Sequence, residues 1–189
     1  MNKEENCVIL DFLHTGYSDR RHPEPIAQAL GTQFFSLLEL VPREGVILKQ
    51  EQDVYIGEGK RPDIRFIRGQ MEYDKLTSVA KSTLPDVIEK IVLANEQKFI
   101  DFFNRAGPLT PRMHALQLLP GVGKKHLLDI LNERRKKPFE SYADLRTRLG
   151  MFPDIVKSVV QRVLDELQGN EKYFLFTMQP RQENRMNAR

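Results

Sequence analysis

Short apolar runs alternate with polar connections in the first 75 residues. Five of these runs are rich in β-branched and aromatic residues: CVILDFL, QFFSLLELV, GVILKQ, DVYIG and DIRFIRG. Gly, Pro and charged residues separate them, which is typical of short strands joined by turns. The pattern predicts a small antiparallel β unit over residues 1–75, a barrel of about five strands.

From residue 76 to residue 107 the apolar positions recur at mostly helical spacing. They are Val87, Ile88, Ile91, Val92, Phe99, Ile100, Phe102 and Phe103. Pro85 is expected near a helix start, and Gly107-Pro108 ends the periodic run. Residues 76–107 are therefore predicted to form a helical connector.

Residues 108–169 are predicted to hold four helices, and the first two flank the turn PGVG. The first helix runs from Pro111 to Leu119 behind Thr110 as its N-cap, because Pro120-Gly121 cannot continue it. The second helix begins near Lys124. It ends at Lys137-Pro138 and is expected to bury Leu127, Leu128 and Leu131.

The last two predicted helices repeat this arrangement. SYADLRTRL follows Ser141 as its cap and ends at Gly150, and MFPD leads into IVKSVVQRVLDEL. Two helix–turn–helix pairs therefore lie in tandem. After Gly169, KYFLFT predicts a strand over residues 170–177 that returns to the barrel, and the polar residues 178–189 predict a disordered tail.

Composition excludes several classes of protein. The chain has 189 residues, 40% hydrophobic and 29% charged, with no apolar run near the roughly 18 residues of a membrane span. Its start, MNKEENCVILDF, lacks the pattern of an export signal, so a cytoplasmic protein is expected. The single cysteine, Cys7, excludes an intrachain disulfide and Cys-based zinc sites, and the histidines lack metal-ligand spacing. We expect no structural metal and no cofactor.

Positive charge is concentrated towards the C-terminus. The net charge is only +3, but residues 111–189 contain 15 Lys/Arg against 9 Asp/Glu, whereas residues 1–75 contain 10 against 13. Such a block is either a solvated face or an electrostatic footprint for nucleic acid. Charge alone leaves both interpretations open.

The turn PGVG and the two lysines after it have the composition of an anion site. Gly121 and Gly123 permit positive φ and remove Cβ atoms, so backbone N–H groups around Val122 can converge at the start of the next helix. A helix N-terminus has partial positive charge and unpaired donors, and Lys124 and Lys125 add two full charges. A backbone phosphate, bound without reading of bases, is the expected ligand.

LLPGVGKK with its flanking helices resembles the helix-hairpin-helix nucleic-acid-binding motif. The resemblance implies that the hairpin holds a backbone phosphate without sequence specificity. The second pair is less similar, because LGMFPDIV lacks the second glycine and has Asp154 where a lysine would help. It is interpreted as a structural partner, with a second phosphate site as the alternative.

Further segments resemble the archaeal family catalogued as domain of unknown function 655, over roughly residues 6–176. They are DVYIG, YDKL, NEQKFIDFFNRA, LTPRMHALQLLPGVGKK, PFESYADL and KYFLF. The resemblance implies an α+β fold with an N-terminal OB-like β-barrel, connecting helices and a C-terminal tandem helix-hairpin-helix domain. Members often lie in gene neighbourhoods concerned with ribosomes and ribosomal RNA modification, which implies work on RNA.

Basic residues of GEGKRPDIRFIRG form a second candidate surface. Lys60, Arg61 and Arg65 are candidates for contacts with a single strand on the exposed face of the barrel. If the strand alternates strictly, Arg65 faces outwards and Phe66 faces inwards, so Phe66 is expected in the core. Arg112 is a candidate for an adjacent phosphate, and a salt bridge is the alternative.

His114 and the run ERRKKP at the end of the second helix have structural interpretations. His114 is expected to be structural. The cations of ERRKKP lie where they favour the helix dipole, so capping is expected, and contact with a nucleic-acid backbone is the alternative.

For Lys125, a catalytic role is the alternative to phosphate binding. In DNA glycosylase/lyases of the helix-hairpin-helix superfamily a lysine in this position is the Schiff-base nucleophile. The downstream aspartate of those enzymes has no match, since the region reads PFESYADL with Asp144 on a predicted helix. Cys7 alone cannot build their cluster, and GVGKKH lacks the spacing of a phosphate-loop NTPase. We therefore expect no enzymatic activity.

The sequence thus predicts a nucleic-acid-binding protein, with RNA preferred to DNA. The expected contacts are Gly121, Val122, Gly123, Lys124, Lys125, Arg112, Lys60, Arg61 and Arg65. A ribosomal or transcription-associated protein is a second candidate partner. Two alternatives stay open: a DNA-binding module for repair or replication, and a protein-interaction adaptor in which the hairpin is only a tight connection.

Overall fold

The protein has a mixed α+β fold, as the sequence predicts: a curled five-stranded antiparallel half-barrel is followed by five helices. The computed structural model describes residues 3–18, 24–150, 153–169 and 171–178. The described residues of Met1–Lys81 and Asp165–Arg189 form one compact unit, and those of Ser82–Leu164 form another. Within the described ranges, every helix is too short or too polar to cross a membrane.

Five antiparallel strands form the sheet of the first unit. They are β1 (Asn6–Leu13), β2 (Ile26–Gly31), β3 (Leu37–Pro42), β4 (Asp53–Tyr55) and β5 (Ile64–Gln70). Their order across the sheet is β4-β1-β2-β3-β5, so β4 and β5 are the edge strands.

The interior of the half-barrel is an apolar core. Its buried residues are Cys7, Ile9, Ala27, Ala29, Leu38, Leu40, Leu48, Val54, Ile56 and Ile64. Burial of one large apolar side chain contributes about 1.5–3 kcal/mol, so this core holds the strands together.

One predicted strand is wrong and one strand was missed. GVILKQ lies in the connection between β3 and β4, where Leu48 enters the core while Ile47 is 68% exposed. β2, with the sequence IAQALG, has few β-branched residues, yet every residue in it is buried. Because both faces of β2 are covered, tertiary burial outweighs its weak β-propensity. Its Gln28 side chain donates to the hydroxyl of Tyr17 and to the carbonyl oxygen of Lys75.

The predicted core position of Phe66 is also wrong, because β5 contains a bulge. Val41 of β3 pairs with Phe66, and the next residue, Pro42, pairs with Ile64, so Arg65 is an extra residue in β5. A bulge breaks the two-residue alternation and re-aims side chains. Ile64 enters the core, whereas Arg65 and Phe66 are both exposed.

The predicted returning strand over residues 170–177 is absent from the described residues 171–178. The carboxylate of buried Glu166 instead accepts the backbone N–H groups of Leu175, Phe176 and Thr177, at 2.7–3.0 Å. These donors are therefore satisfied by a side chain rather than by a neighbouring strand. The predicted tail begins at residue 178, and residues 179–189 lie outside the described residues.

Two helices occupy the predicted connector: α1 (Ser78–Ala94) and α2 (Glu96–Arg105). Pro85 lies inside α1 rather than near its start. The helix begins earlier because Thr77 caps it: the Thr77 hydroxyl accepts the N–H of Ala80 at 3.0 Å.

The helix predicted from Pro111 to Leu119 is wrong. The segment forms a small hairpin of β6 (Pro108–Thr110) and β7 (Met113–His114), followed by a 3-10 turn over Ala115–Leu118. Pro111 lies in the tight turn between the strands, where its fixed φ is favourable. Thr110 does not cap a helix; its hydroxyl accepts the N–H of Arg112 within this turn.

The remaining three predicted helices are confirmed: α3 (Lys124–Lys136), α4 (Tyr142–Leu149) and α5 (Ile155–Leu167). The Ser141 hydroxyl caps α4 by accepting the N–H of Asp144 at 3.0 Å, and Gly150 ends α4 with φ +59°. Leu128 was predicted to be buried but is 59% exposed. The inner face of α3 instead runs through Ile130.

Candidate nucleic-acid interface

The hairpin before α3 is held by its own backbone and by one buried side chain. Gly121 has φ +84°, which favours glycine, but Gly123 is extended with φ −83° and needs no such freedom. The expectation of positive φ therefore holds at Gly121 only. Val122 is buried, and its N–H donates to the carbonyl oxygen of Leu119 at 3.0 Å, so this residue anchors the turn.

Backbone donors remain open at the N-terminus of α3. The N–H groups of Gly123, Lys124 and Lys125 have no hydrogen-bond partner among the described residues, because the first helical turn lacks acceptors and Gly123 has no side chain to cap it. A Cβ placed on Gly123 would meet no atom within 4 Å, so the approach to these donors is open.

Two full positive charges lie beside these donors. Lys124 and Lys125 are exposed, and neither forms an ion pair with any residue in the described ranges. The helix dipole adds partial positive charge at the same point. An anion with several acceptor oxygens, such as a phosphate, matches this arrangement of donors and charge.

The second hairpin differs at the corresponding place. Gly150 has φ +59°, and the Asp154 carboxylate accepts the N–H of Lys157 at 3.1 Å. The first turn of α5 therefore already holds a carboxylate, which disfavours a second anion there. The hairpin residues 151 and 152 lie outside the described residues.

The second hairpin supports the first one. A Cβ on Gly121 would lie 2.8 Å from Cγ of Pro153, so the two turns are in close contact. The hydroxyl of Ser158, on α5, donates to the carbonyl oxygen of Pro120 at 2.9 Å. These two contacts position the open end of α3.

The structure places Arg112 and His114 off the helix on which they were predicted. Arg112 is exposed in the turn between β6 and β7. His114 caps the 3-10 turn: its Nδ1 accepts the N–H of Leu116, and its own N–H donates to the side chain of Gln117. Burial, aided by the charge of Arg134, lowers the pKa of His114. The structural interpretation of His114 is therefore favoured.

The guanidinium of Arg134 forms structural hydrogen bonds to the main chain. Its Nη1 donates to the carbonyl oxygens of Phe103 at 3.0 Å and Ala106 at 2.8 Å. It therefore caps the end of α2, not the end of its own helix as the run ERRKKP suggested.

The C-terminal end of α3 is capped by Arg148 instead of Arg134. This role of Arg148 was not predicted from the sequence. Its Nη2 donates to the carbonyl oxygens of Glu133 and Lys137, and its guanidinium lies 4.5 Å from the ring centroid of Phe139. Stacking and hydrogen bonding both suit a planar guanidinium. The sequence signal was weak, because the acceptors lie 11 and 15 residues before Arg148.

A separate group of cations lies beside β5 in the first unit. Lys60 and Arg65 are exposed, and Nε of half-buried Arg61 donates to the carbonyl oxygen of Gly57 at 2.9 Å. Arg43, which was not predicted, joins them through a 2.9 Å bond from its Nε to the carbonyl oxygen of Arg61. We call Arg43, Lys60, Arg61 and Arg65 the β5 cluster. The predicted contact residues thus fall into three places. Residues 121–125 lie at the hairpin, Arg112 lies in the turn between β6 and β7, and Lys60, Arg61 and Arg65 lie in the other unit.

Asp144 and Cys7 bear on the catalytic alternative. The Asp144 carboxylate accepts the N–H of Glu140 at 3.1 Å and pairs with Arg148 at 3.2 Å. The hydrogen bond from the Glu140 N–H has the largest effect and lowers the pKa of Asp144, and the hydrogen bond from Arg148 lowers this pKa further. Burial raises the pKa of the Cys7 thiol. Asp144 therefore has structural partners, and Cys7 is a neutral core residue.

The chain matches known proteins over nearly its whole length. The family model described as protein of unknown function (DUF655) matches residues 3–178. An uncharacterized protein of Methanocaldococcus jannaschii is 41% identical over 175 residues, which cover 92% of this chain and 79% of that protein. A crystal structure from Archaeoglobus fulgidus, of the same family model, has a TM-score of 0.84 and 41% identity, and covers 93% of this chain and 100% of that one. The resemblance is thereby confirmed, and the chain belongs to the DUF655 family of proteins of unknown function.

Proposed function

We propose that this protein binds nucleic acid by gripping backbone phosphates, without sequence specificity and without catalysing a reaction. The observation that carries the proposal is the open N-terminus of α3. Three N–H groups that have no acceptor among the described residues lie beside two exposed lysines, with no side chain on Gly123 to obstruct them. A phosphate oxygen satisfies such donors, and each charge-assisted hydrogen bond contributes about 1.5–3 kcal/mol.

RNA is the preferred target, and the support for this preference is the family resemblance rather than the geometry of the hairpin. A phosphate contact positions a polynucleotide without distinguishing bases. Binding to DNA in repair or replication is therefore the main competing proposal, and RNA and DNA strands of equal length must be compared directly.

Salt dependence of binding tests the phosphate grip. Fluorescence anisotropy of labelled RNA and DNA gives Kd at several salt concentrations for the wild-type chain and for Lys124→Gln with Lys125→Gln. The slope of log affinity against log salt should become shallower by roughly 0.7 to 1.8 units, because one or two phosphate contacts are lost. The loss should be similar for unrelated sequences.

Lys90→Gln with Lys98→Gln is the matched control, since both lysines are exposed, lie on α1 and α2, and give the same change in net charge. This control should keep the wild-type slope. Unchanged affinity and slope in the folded hairpin variant would make the hairpin a structural connection. The protein-interaction adaptor, which needs no phosphate contact, would then be the better proposal.

A further inference from the structure

The ring of Phe66 is partly exposed on an edge strand of the sheet. Phe66 is 38% exposed on β5, which is paired with β3 on one side and has no strand on its other side among the described residues. The bulge at Arg65 brings Phe66 out of the alternating pattern. Phe66 pairs with Val41, which is buried at 2% exposure but is outside the interior cluster of the half-barrel, so the exposed part of the ring adjoins buried apolar residues.

A cation of the β5 cluster contacts this ring. The guanidinium of Arg65 lies 5.8 Å from the centroid of Phe66, within the range of a cation–π contact. Because β3 and β5 are antiparallel, Arg43 lies beside Asp63, whose carbonyl oxygen accepts the N–H of Arg43 at 2.8 Å, and Arg65 lies at the bulge on the other side of the Pro42–Ile64 pair. No member of the β5 cluster forms an ion pair with a residue in the part of the chain that the structure describes.

The connection between β4 and β5 is built to hold these cations in place. The hydroxyl of Tyr55 accepts the N–H of Gly59 at 3.1 Å, and a Cβ on Gly57 would lie 2.4 Å from that hydroxyl oxygen. The carbonyl oxygen of Gly57 in turn accepts from Arg61. This close packing around Tyr55 orders the loop before any ligand arrives, which lowers the entropic cost of binding.

An exposed aromatic ring near cations that form no ion pair with any described residue has the chemistry that recognises a single-stranded polynucleotide. Bases of a single strand can stack on the ring while its phosphates meet the cations, and stacking tolerates any base. Bases inside a duplex are already stacked on one another and do not reach such a ring. An extended peptide could pair with the edge of β5, but it would not require four cations that form no ion pair among the described residues.

We infer that Phe66 is a base-stacking residue for single-stranded nucleic acid, and that the β5 cluster contacts the adjoining phosphates. The inference rests on the proposed function and specifies its substrate as a single strand. It adds a contact to bases, whereas the hairpin contacts phosphates alone.

Tryptophan fluorescence tests the stacking directly, because the chain contains no tryptophan. In the full-length chain Phe66→Trp introduces a single reporter. Titration uses single-stranded RNA and DNA of about 12 nucleotides, a length within the site size of such surfaces, and a strand of equal length without bases. Strands with bases should quench the fluorescence, and the abasic strand should not. The RNA and DNA arms show which polymer is preferred.

Affinity measurements on variants complete the test. Phe66→Leu keeps an apolar side chain without a π face, and should weaken binding of strands with bases about 5- to 150-fold while leaving abasic binding unchanged. Phe66→Tyr should retain the affinity, and Val79→Ala, an exposed apolar control in the same unit, should have no effect. If the wild-type chain binds but Phe66→Leu binds equally well and Phe66→Trp is not quenched, stacking is refuted and the phosphate grip survives. If the wild-type chain binds no strand, both proposals fail.

Discussion

Gly121 and Gly123 lie two residues apart in the same turn, yet only the first needs to be glycine for folding. Gly121 has φ +84°, and a Cβ there would lie 2.8 Å from Cγ of Pro153. Gly123 has φ −83° and open space around the position of a Cβ. Alanine at each position should therefore separate stability from binding.

The expected magnitudes follow from these geometries. Gly121→Ala should cost about 1–3 kcal/mol of stability, because alanine is strained at positive φ and the methyl group meets Pro153. Gly123→Ala should change stability by less than about 0.5 kcal/mol, since the weaker N-cap is offset by the lower entropy of the unfolded chain. Its methyl group would obstruct a phosphate at the open donors. Loss of one charge-assisted bond of about 1.5–3 kcal/mol weakens binding roughly 10- to 150-fold.

Urea denaturation gives the free energy of unfolding, and anisotropy with a labelled RNA strand gives Kd for the same preparations. Gly123→Val should weaken binding further than Gly123→Ala, because the larger side chain reaches further over the donors. The opposite result would be Gly123→Ala and Gly123→Val variants that are as stable as the wild type and bind with unchanged Kd. In that case the N-terminus of α3 does not contact the ligand.

Three further predictions concern His114, Lys125 and Glu166. The pKa of His114 is lowered in the folded state, so the unfolded chain binds a proton more readily and stability should fall as the pH drops below about 6.5. The loss should be less than about 1.4 kcal/mol per pH unit in urea denaturation, and His114→Asn, which keeps a cap without titrating, should abolish this component. Lys125 should give no covalent adduct with abasic-site DNA under borohydride; an adduct that Lys125→Gln removes would establish lyase chemistry instead. Glu166→Gln should destabilise the protein by about 1–3 kcal/mol, because the carboxylate accepts three buried or half-buried N–H groups. Exposed Glu89→Gln is the control, and equal stability of the two variants would show that Glu166 is not an anchor.

Local chemistry made the hairpin turn and the helices after it readable from the sequence, whereas the helix predicted before it is wrong. The residues LLPGVGKK, the cap at Ser141 and the glycine at Gly150 each act within a few positions of the chain, so their spacing carries the information. The same holds for α3, α4 and α5. The family resemblance was carried by six short segments along the chain, from DVYIG to KYFLF, and it is confirmed.

Interactions between distant residues decided what the sequence did not reveal. β2 is a strand because it pairs with β1 and β3 and every residue in it is buried, although its own residues have weak β-propensity. The bulge at Arg65 exists only in the pairing of β5 with β3, so strict alternation put Phe66 on the wrong side.

The roles of several charged side chains were hidden for the same reason. Arg134 caps α2 across 28 residues, and Glu166 binds a segment 9 to 11 residues further along the chain. The position of the hairpin turn and the helices α3, α4 and α5 could therefore be predicted from the sequence, because turns, caps and helix termini are local. Which cations hydrogen-bond within the fold and which aromatic ring is exposed could not, because hydrogen-bond partners and burial depend on residues brought together from distant parts of the chain.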